Sequence, residues 1–121
     1  MTPTEHIAAS QRTKTGLRVN INEGNEDLLH AIIGISTEAG ELTDALKKHL
    51  FYNAPLDMSN IKEELGDLFW YQSILLEWCG FTYEEVMEVN VDKLKVRYPE
   101  KFTTHHALKR DLKKERKCLE K

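Results

Sequence analysis

The chain has 121 residues, room for one domain and little more. With 40% hydrophobic and 31% charged residues it fits a globular protein, not a disordered one, and no apolar run nears the length needed to cross a bilayer. A net charge of −3 gives no global attraction for nucleic acid, so neither nucleic acid nor membrane is expected as a partner. The N-terminal stretch lacks a basic segment followed by an apolar one, the mark of a secretory signal. Cys79 and Cys118 have no metal-ligand spacing, and reduced thiols in a cytoplasmic protein are the expectation. Charge is unevenly spread: from Ala107 to Lys121 there are seven Lys/Arg and three Asp/Glu, a local +4, which leaves −7 on residues 1–106.

Strand signals are almost absent, with no sustained alternation and no Asn-Gly or Asp-Gly turn. A short helix is expected from Thr4 to about Thr13, ending near Gly16. The next runs from about Asn25 to Leu50, with Leu29, Ile32, Ile33, Ile35, Leu42, Ala45 and Leu46 at helical spacing. Asn53 and Pro55 break it. Asn60 reads as the N-cap of a third helix, with Glu63 completing a capping box. That helix ends at Cys79, and Gly80 is suited to close it. Thr82 and Glu85 form a second capping box for a helix to Arg97 or Tyr98, stopped by Pro99. A basic helix or tail follows from about Ala107. Leu108, Leu112, Cys118 and Leu119 would give it a narrow apolar stripe. The fold class is all-α, a helical bundle.

Two acidic pairs carry the chemistry: Glu38-Ala-Gly-Glu41 and Glu64-Leu-Gly-Asp67. Residues three apart share a helical face, so each helix presents two carboxylates side by side. Glu38 and Glu41 share a stripe with Gly34 and Ala45, small residues that leave room beside the helix. Glu64 and Asp67 share theirs with Tyr71, Ile74, Leu75 and Trp78, a stripe of core character. Four carboxylates on core-facing stripes need cations, and oxygen-rich sites suit Mg²⁺ or Mn²⁺. A di-iron site would want Glu-x-x-His on two helices, and the chain has none; Asp27-x-x-His30 comes nearest. His30 falls near the Glu38/Glu41 stripe and reads as a polar lining more than a ligand.

Glu-x-x-Glu, a 22-residue spacer and Glu-x-x-Asp, in the strings GISTEAGELTDALKK and NIKEELGDLFWY, resemble the MazG-like all-α nucleoside triphosphate pyrophosphohydrolases. DKLKVRYPEKF resembles the segment in which that family carries a Lys and an Arg for phosphates. The resemblance spans about residues 26–102, inside a domain of residues 1–106; residues 107–121 form the basic helix or tail. It implies Mg²⁺-dependent hydrolysis of a (deoxy)nucleoside triphosphate to the monophosphate and pyrophosphate, with Mn²⁺ a plausible substitute. Glu38, Glu41, Glu64 and Asp67 would be both metal ligands and catalytic residues. Lys62, Lys93 and Arg97 would meet phosphate oxygens. By helical geometry Asn90 shares a face with Lys93 and Arg97; Tyr71, one turn past Asp67, could stack on a base, although an aromatic at that spacing is more often core, and His30 could line the nucleotide. A homodimer or homotetramer with bundles completed between subunits is implied as well. Thr37 stands where some relatives carry a candidate base, so the base would be one of the four carboxylates or water activated by the ion itself. Phosphoribosyl-ATP pyrophosphohydrolysis is the rival reaction, and a non-catalytic helical interaction module the rival of another class.

Overall fold

A computed structural model describes residues 1–121, and all regular structure in it is helical. Helix α1 (Pro3–Ser10) opens on Thr2, whose hydroxyl accepts from the Glu5 N–H while the Glu5 carboxylate accepts from the Thr2 N–H. This reciprocal pair satisfies two N–H groups that the helix itself cannot. A 3₁₀ turn over Gln11–Thr13 follows, as the expected helix tightens at its end.

Helix α2 (Glu26–Phe51) and helix α3 (Met58–Cys79) are the two long elements, and they pack along each other. Asn53, at φ 54°, takes the left-handed conformation that turns the chain out of α2, consistent with a break at Asn53 and Pro55. The start of α3 differs from expectation. The cap is Asp57, whose carboxylate accepts from the Ser59 and Asn60 N–H groups at 3.0 and 3.1 Å. Asn60 therefore lies inside the helix, and the Asn60/Glu63 capping box does not form. The earlier cap lengthens α3 and turns the Asn60 side chain onto the Glu64 face, four residues on. At the far end Gly80, at φ 72°, closes α3, and the Phe81 N–H returns to the Leu76 carbonyl at 3.0 Å.

Helix α4 (Tyr83–Arg97) begins at Thr82, whose hydroxyl accepts from the Glu85 N–H at 3.1 Å. The Tyr83 hydroxyl reaches back to the Phe69 carbonyl at 3.0 Å, pinning the α3–α4 corner. Helices α5 (Thr104–Leu108) and α6 (Leu112–Leu119) make up the basic C-terminal part. Helix α6 packs on α4, but not through the expected leucine stripe: Leu108 is 77% and Leu112 62% exposed, and only Cys118 is buried. Charge holds it instead. Glu115 is 3% exposed and accepts from Arg97 Nε and Nη2 at 3.0 and 2.9 Å and from Arg110 Nε at 3.3 Å. A bidentate guanidinium–carboxylate pair is the strongest form of such a contact.

Only five residues are buried: Ala31, Gly34, Glu64, Glu115 and Cys118. The accessible surface is 10269 Å², against about 6,700 Å² for a compact monomer of this mass. Leu29, Ile32 and Ile33 on α2, and Val86, Met87 and Val91 on α4, remain 40–56% exposed.

Hydrogen bonds from Arg97, then from Arg110, lower the Glu115 carboxyl from its ordinary 4.5 to about 2. A depressed carboxyl stabilises the fold above its unfolded pKa, and the contribution is lost as pH falls through the folded value. Helix α6 should therefore stay docked above about pH 4.5 and loosen between there and pH 2. Amide hydrogen exchange along α6 checks this. Glu115→Gln should raise α6 exchange at neutral pH to the acid level while leaving α2 and α3 protected.

Candidate active site

Glu38 on α2 and Glu64 and Asp67 on α3 bring one carboxylate oxygen each to within 4.8 Å of one another. Glu64 is buried at 8% exposure, Glu38 is half-buried and Asp67 is open to solvent. The triad thus grades from buried to open across the α2–α3 seam. Glu41, one turn along α2, is exposed and lies outside this convergence.

The electrostatics follow from the crowding. Burial first, then a hydrogen bond shared with Glu64, then the charges of Asp67, Glu64 and Glu41 raise the Glu38 carboxyl above its ordinary value. Two carboxylates share a hydrogen bond only with a proton between them. At neutral pH the arrangement is repulsive unless a cation takes the proton's place. The donors are all hard oxygens with no thiolate or imidazole, which fits Mg²⁺ or Mn²⁺ and disfavours softer ions. Asn60 Nδ2 donates to Glu64 Oε1 at 2.7 Å, the one hydrogen bond that neutral protein groups give the triad.

The next turn explains how the helices come this close. Gly34 is buried against the Tyr71 ring, which a Cβ at position 34 would overlap. Glu38 lies one turn beyond Gly34 on α2, and Asp67 one turn before Tyr71 on α3. The helices therefore run antiparallel, and the Gly34–Tyr71 contact sets their spacing at the carboxylates. His30, exposed, meets Tyr71 edge-on with ring centroids 5.4 Å apart, so these two residues stand together beyond the triad. The Thr37 hydroxyl donates to the Gly34 carbonyl at 3.0 Å and is turned back onto its own helix.

The cations are arranged differently. Lys62 is exposed on another side of α3, beside a groove lined by Met58, Ile61, Leu65 and Phe69 that includes none of the triad. Asn90 is exposed and Lys93 half-buried on α4. Arg97 spends Nε and Nη2 on Glu115, leaving Nη1 as its open edge. Helix α4 has no extensive packing against α2 or α3 within the chain. Sequence reasoning missed Asn60, Arg110 and Glu115 as partners of site residues. The i,i+4 spacing of Asn60 to Glu64 was a usable signal; an acidic residue within a basic tail gave none for Glu115.

Converging carboxylates on a helical hairpin define the class: an all-α protein whose donor set suits a divalent cation. Residues 24–102 match the MazG nucleotide pyrophosphohydrolase domain, and the chain belongs to that family, whose members are generally dependent on divalent metals. No curated protein and no solved structure is detectably similar to the chain.

Gly34→Ala should force Tyr71 away from α2 and cost about 1–3 kcal/mol, the usual penalty of overpacking. A thermal melt checks this, with Tyr71→Leu in the Gly34→Ala background expected to recover part of the loss. A Gly34→Ala protein as stable as the parent would mean the helices are not in contact there.

Proposed function

We propose that the chain hydrolyses a (deoxy)nucleoside triphosphate to the nucleoside monophosphate and pyrophosphate, with Mg²⁺ as its ion and Mn²⁺ as a working substitute. The observation that carries this reading is the convergence of Glu38, Glu64 and Asp67 within a matched nucleotide pyrophosphohydrolase domain. Glu38, Glu64 and Asp67, with Glu41 one turn away, would hold the ion. When bound, it supplies charge for phosphate oxygens and acidifies a coordinated water. The chain's own groups do the rest. The carboxylates would fix where the ion sits, and on their own they repel a bare anion. Lys93, Asn90 and the free edge of Arg97 offer donors and positive charge to phosphate oxygens as charge builds on the leaving pyrophosphate. Lys62 adds a further positive charge near the start of α3. Tyr71 and His30, one and two turns beyond Glu38, line the nucleoside end. With the Thr37 hydroxyl committed to the Gly34 carbonyl, the proton of the attacking water passes to one of the four carboxylates.

The same reading makes the active form a homodimer or homotetramer. About 3,500 Å² of surface beyond that of a compact monomer, with apolar side chains of α2 and α4 within it, is ample for an obligate interface. Helix α4 barely meets its own α2–α3 hairpin, and a bundle completed between subunits would bring its cations to a carboxylate site. The reading also places the enzyme in the cytoplasm, where Cys79 and Cys118 stay as thiols.

Phosphorus NMR of a reaction with a nucleoside triphosphate and Mg²⁺ tests the chemistry. Monophosphate and pyrophosphate should appear in equal amounts with no initial orthophosphate. Glu41→Gln and Asp67→Asn should each remove nearly all turnover while leaving the metal-free protein folded and no less stable, since a like charge is gone. Retention of half the parent rate in either, or nucleoside diphosphate as first product, would sink the assignment. Light scattering should return a mass at least twice 14.0 kDa; an active monomer would refute the assembly.

A further inference from the structure

Asn60 is the one neutral residue that reaches the carboxylate triad, and it is anchored from both sides. Its backbone N–H donates to Asp57 Oδ1 at 3.1 Å, so the first turn of α3 fixes where its side chain begins. Its Nδ2 donates to Glu64 Oε1 at 2.7 Å, so the other end is fixed on the buried carboxylate. An ionised carboxylate only accepts, and of the two amide atoms only the nitrogen donates, so the amide has one productive orientation. Glu64 is buried and has little room to swing, and its Oε1 is engaged by Asn60.

We infer that Asn60 is a positioning residue that makes Glu64 a one-oxygen ligand and thereby selects Mg²⁺ or Mn²⁺ over Ca²⁺. The inference rests on the metal reading of the triad. Mg²⁺ demands near-octahedral geometry and takes few protein carboxylates, whereas Ca²⁺ accepts six to eight oxygens and readily takes both oxygens of one carboxylate. With one lone pair of Oε1 taken by an amide N–H, Glu64 keeps Oε2 as its freer donor, which favours one-oxygen over two-oxygen coordination. A large ion that would take both oxygens of one carboxylate finds the second weakened, while a small octahedral ion that takes one is unaffected. Residues that orient metal ligands commonly change metal affinity by 10- to 100-fold when removed. Here the effect falls unequally on two ions, which a general loss of structure would not produce.

The test is calorimetric titration of the full chain with Mn²⁺ and, separately, Ca²⁺, each variant first checked by a thermal melt. The parent should bind Mn²⁺ more tightly than Ca²⁺. Asn60→Ala should shrink the Mn²⁺/Ca²⁺ affinity ratio by about tenfold. Asn60→Asp keeps the side chain's size and suits a first helical turn, so it guards against a misfolded alanine variant; having lost the donor, it should shrink the ratio too. Asn60→Gln, which keeps an amide at i,i+4 from Glu64, should hold the ratio within about threefold of the parent. Equal proportional losses for both ions in the alanine and aspartate variants, or no change, would overturn the inference while leaving the metal site intact. A parent chain that binds neither ion would overturn it together with the reading on which it rests.

Discussion

Carboxylates from two helices meet where apolar side chains would normally be, and the rest of the molecule is arranged around that repulsion. Glu64 is among only five buried residues, so a charged group occupies part of what little interior the chain has. Helices α2 and α3 still pack because the neighbouring turn is unusually close, with the Tyr71 ring seated on Gly34. The aromatic contact draws the helices together and the carboxylates push them apart. A divalent cation changes the second force from repulsive to attractive without altering the first. Site and hairpin are thus one structure, and a cation held between these carboxylates would relieve the fold.

The same economy explains why the chain is open elsewhere. Its two helical pairs, α2 with α3 and α4 with α6, are joined mainly at the Gly80 corner, where Tyr83 bonds back to Phe69. Each pair leaves an apolar face uncovered. A 14.0 kDa chain that devotes its best-packed seam to charges has few side chains left to build a second core. Helix α6 is accordingly fixed by a buried ion pair and one cysteine, because its leucines point elsewhere.

Much of this was legible in the residues. The Glu-x-x-Glu and Glu-x-x-Asp spacings placed the acidic stripe, Gly34 and Tyr71 were on the stripes that meet, and Gly80 and Thr82 marked two helix ends correctly. The errors have physical causes. Asn60 and Asp57 are both good caps, and cap preference alone does not choose between them; the Asn60–Glu64 spacing was the signal that placed Asn60 inside the helix. The C-terminal stripe failed for another reason: periodicity reports which residues share a face, not whether that face meets anything. Glu115 was invisible because its partners, Arg97 and Arg110, belong to a different helix and to a loop. The two pairs of one sign were visible as pairs, but only the fold separates Glu41 from the three that converge.

The clasp between Glu115 and Arg97 joins a segment outside the matched domain to a residue inside it. Two oxygens hold two of the guanidinium's nitrogens, so an anion that sought those nitrogens, and not the open Nη1, would have to displace the carboxylate first. Competition of this kind is symmetrical. Whatever factor a docked α6 takes from the anion's affinity, the bound anion takes from the docking of α6, since both are measured around one thermodynamic cycle. The attachment of the last helix and the binding of such an anion would then be two readings of a single equilibrium.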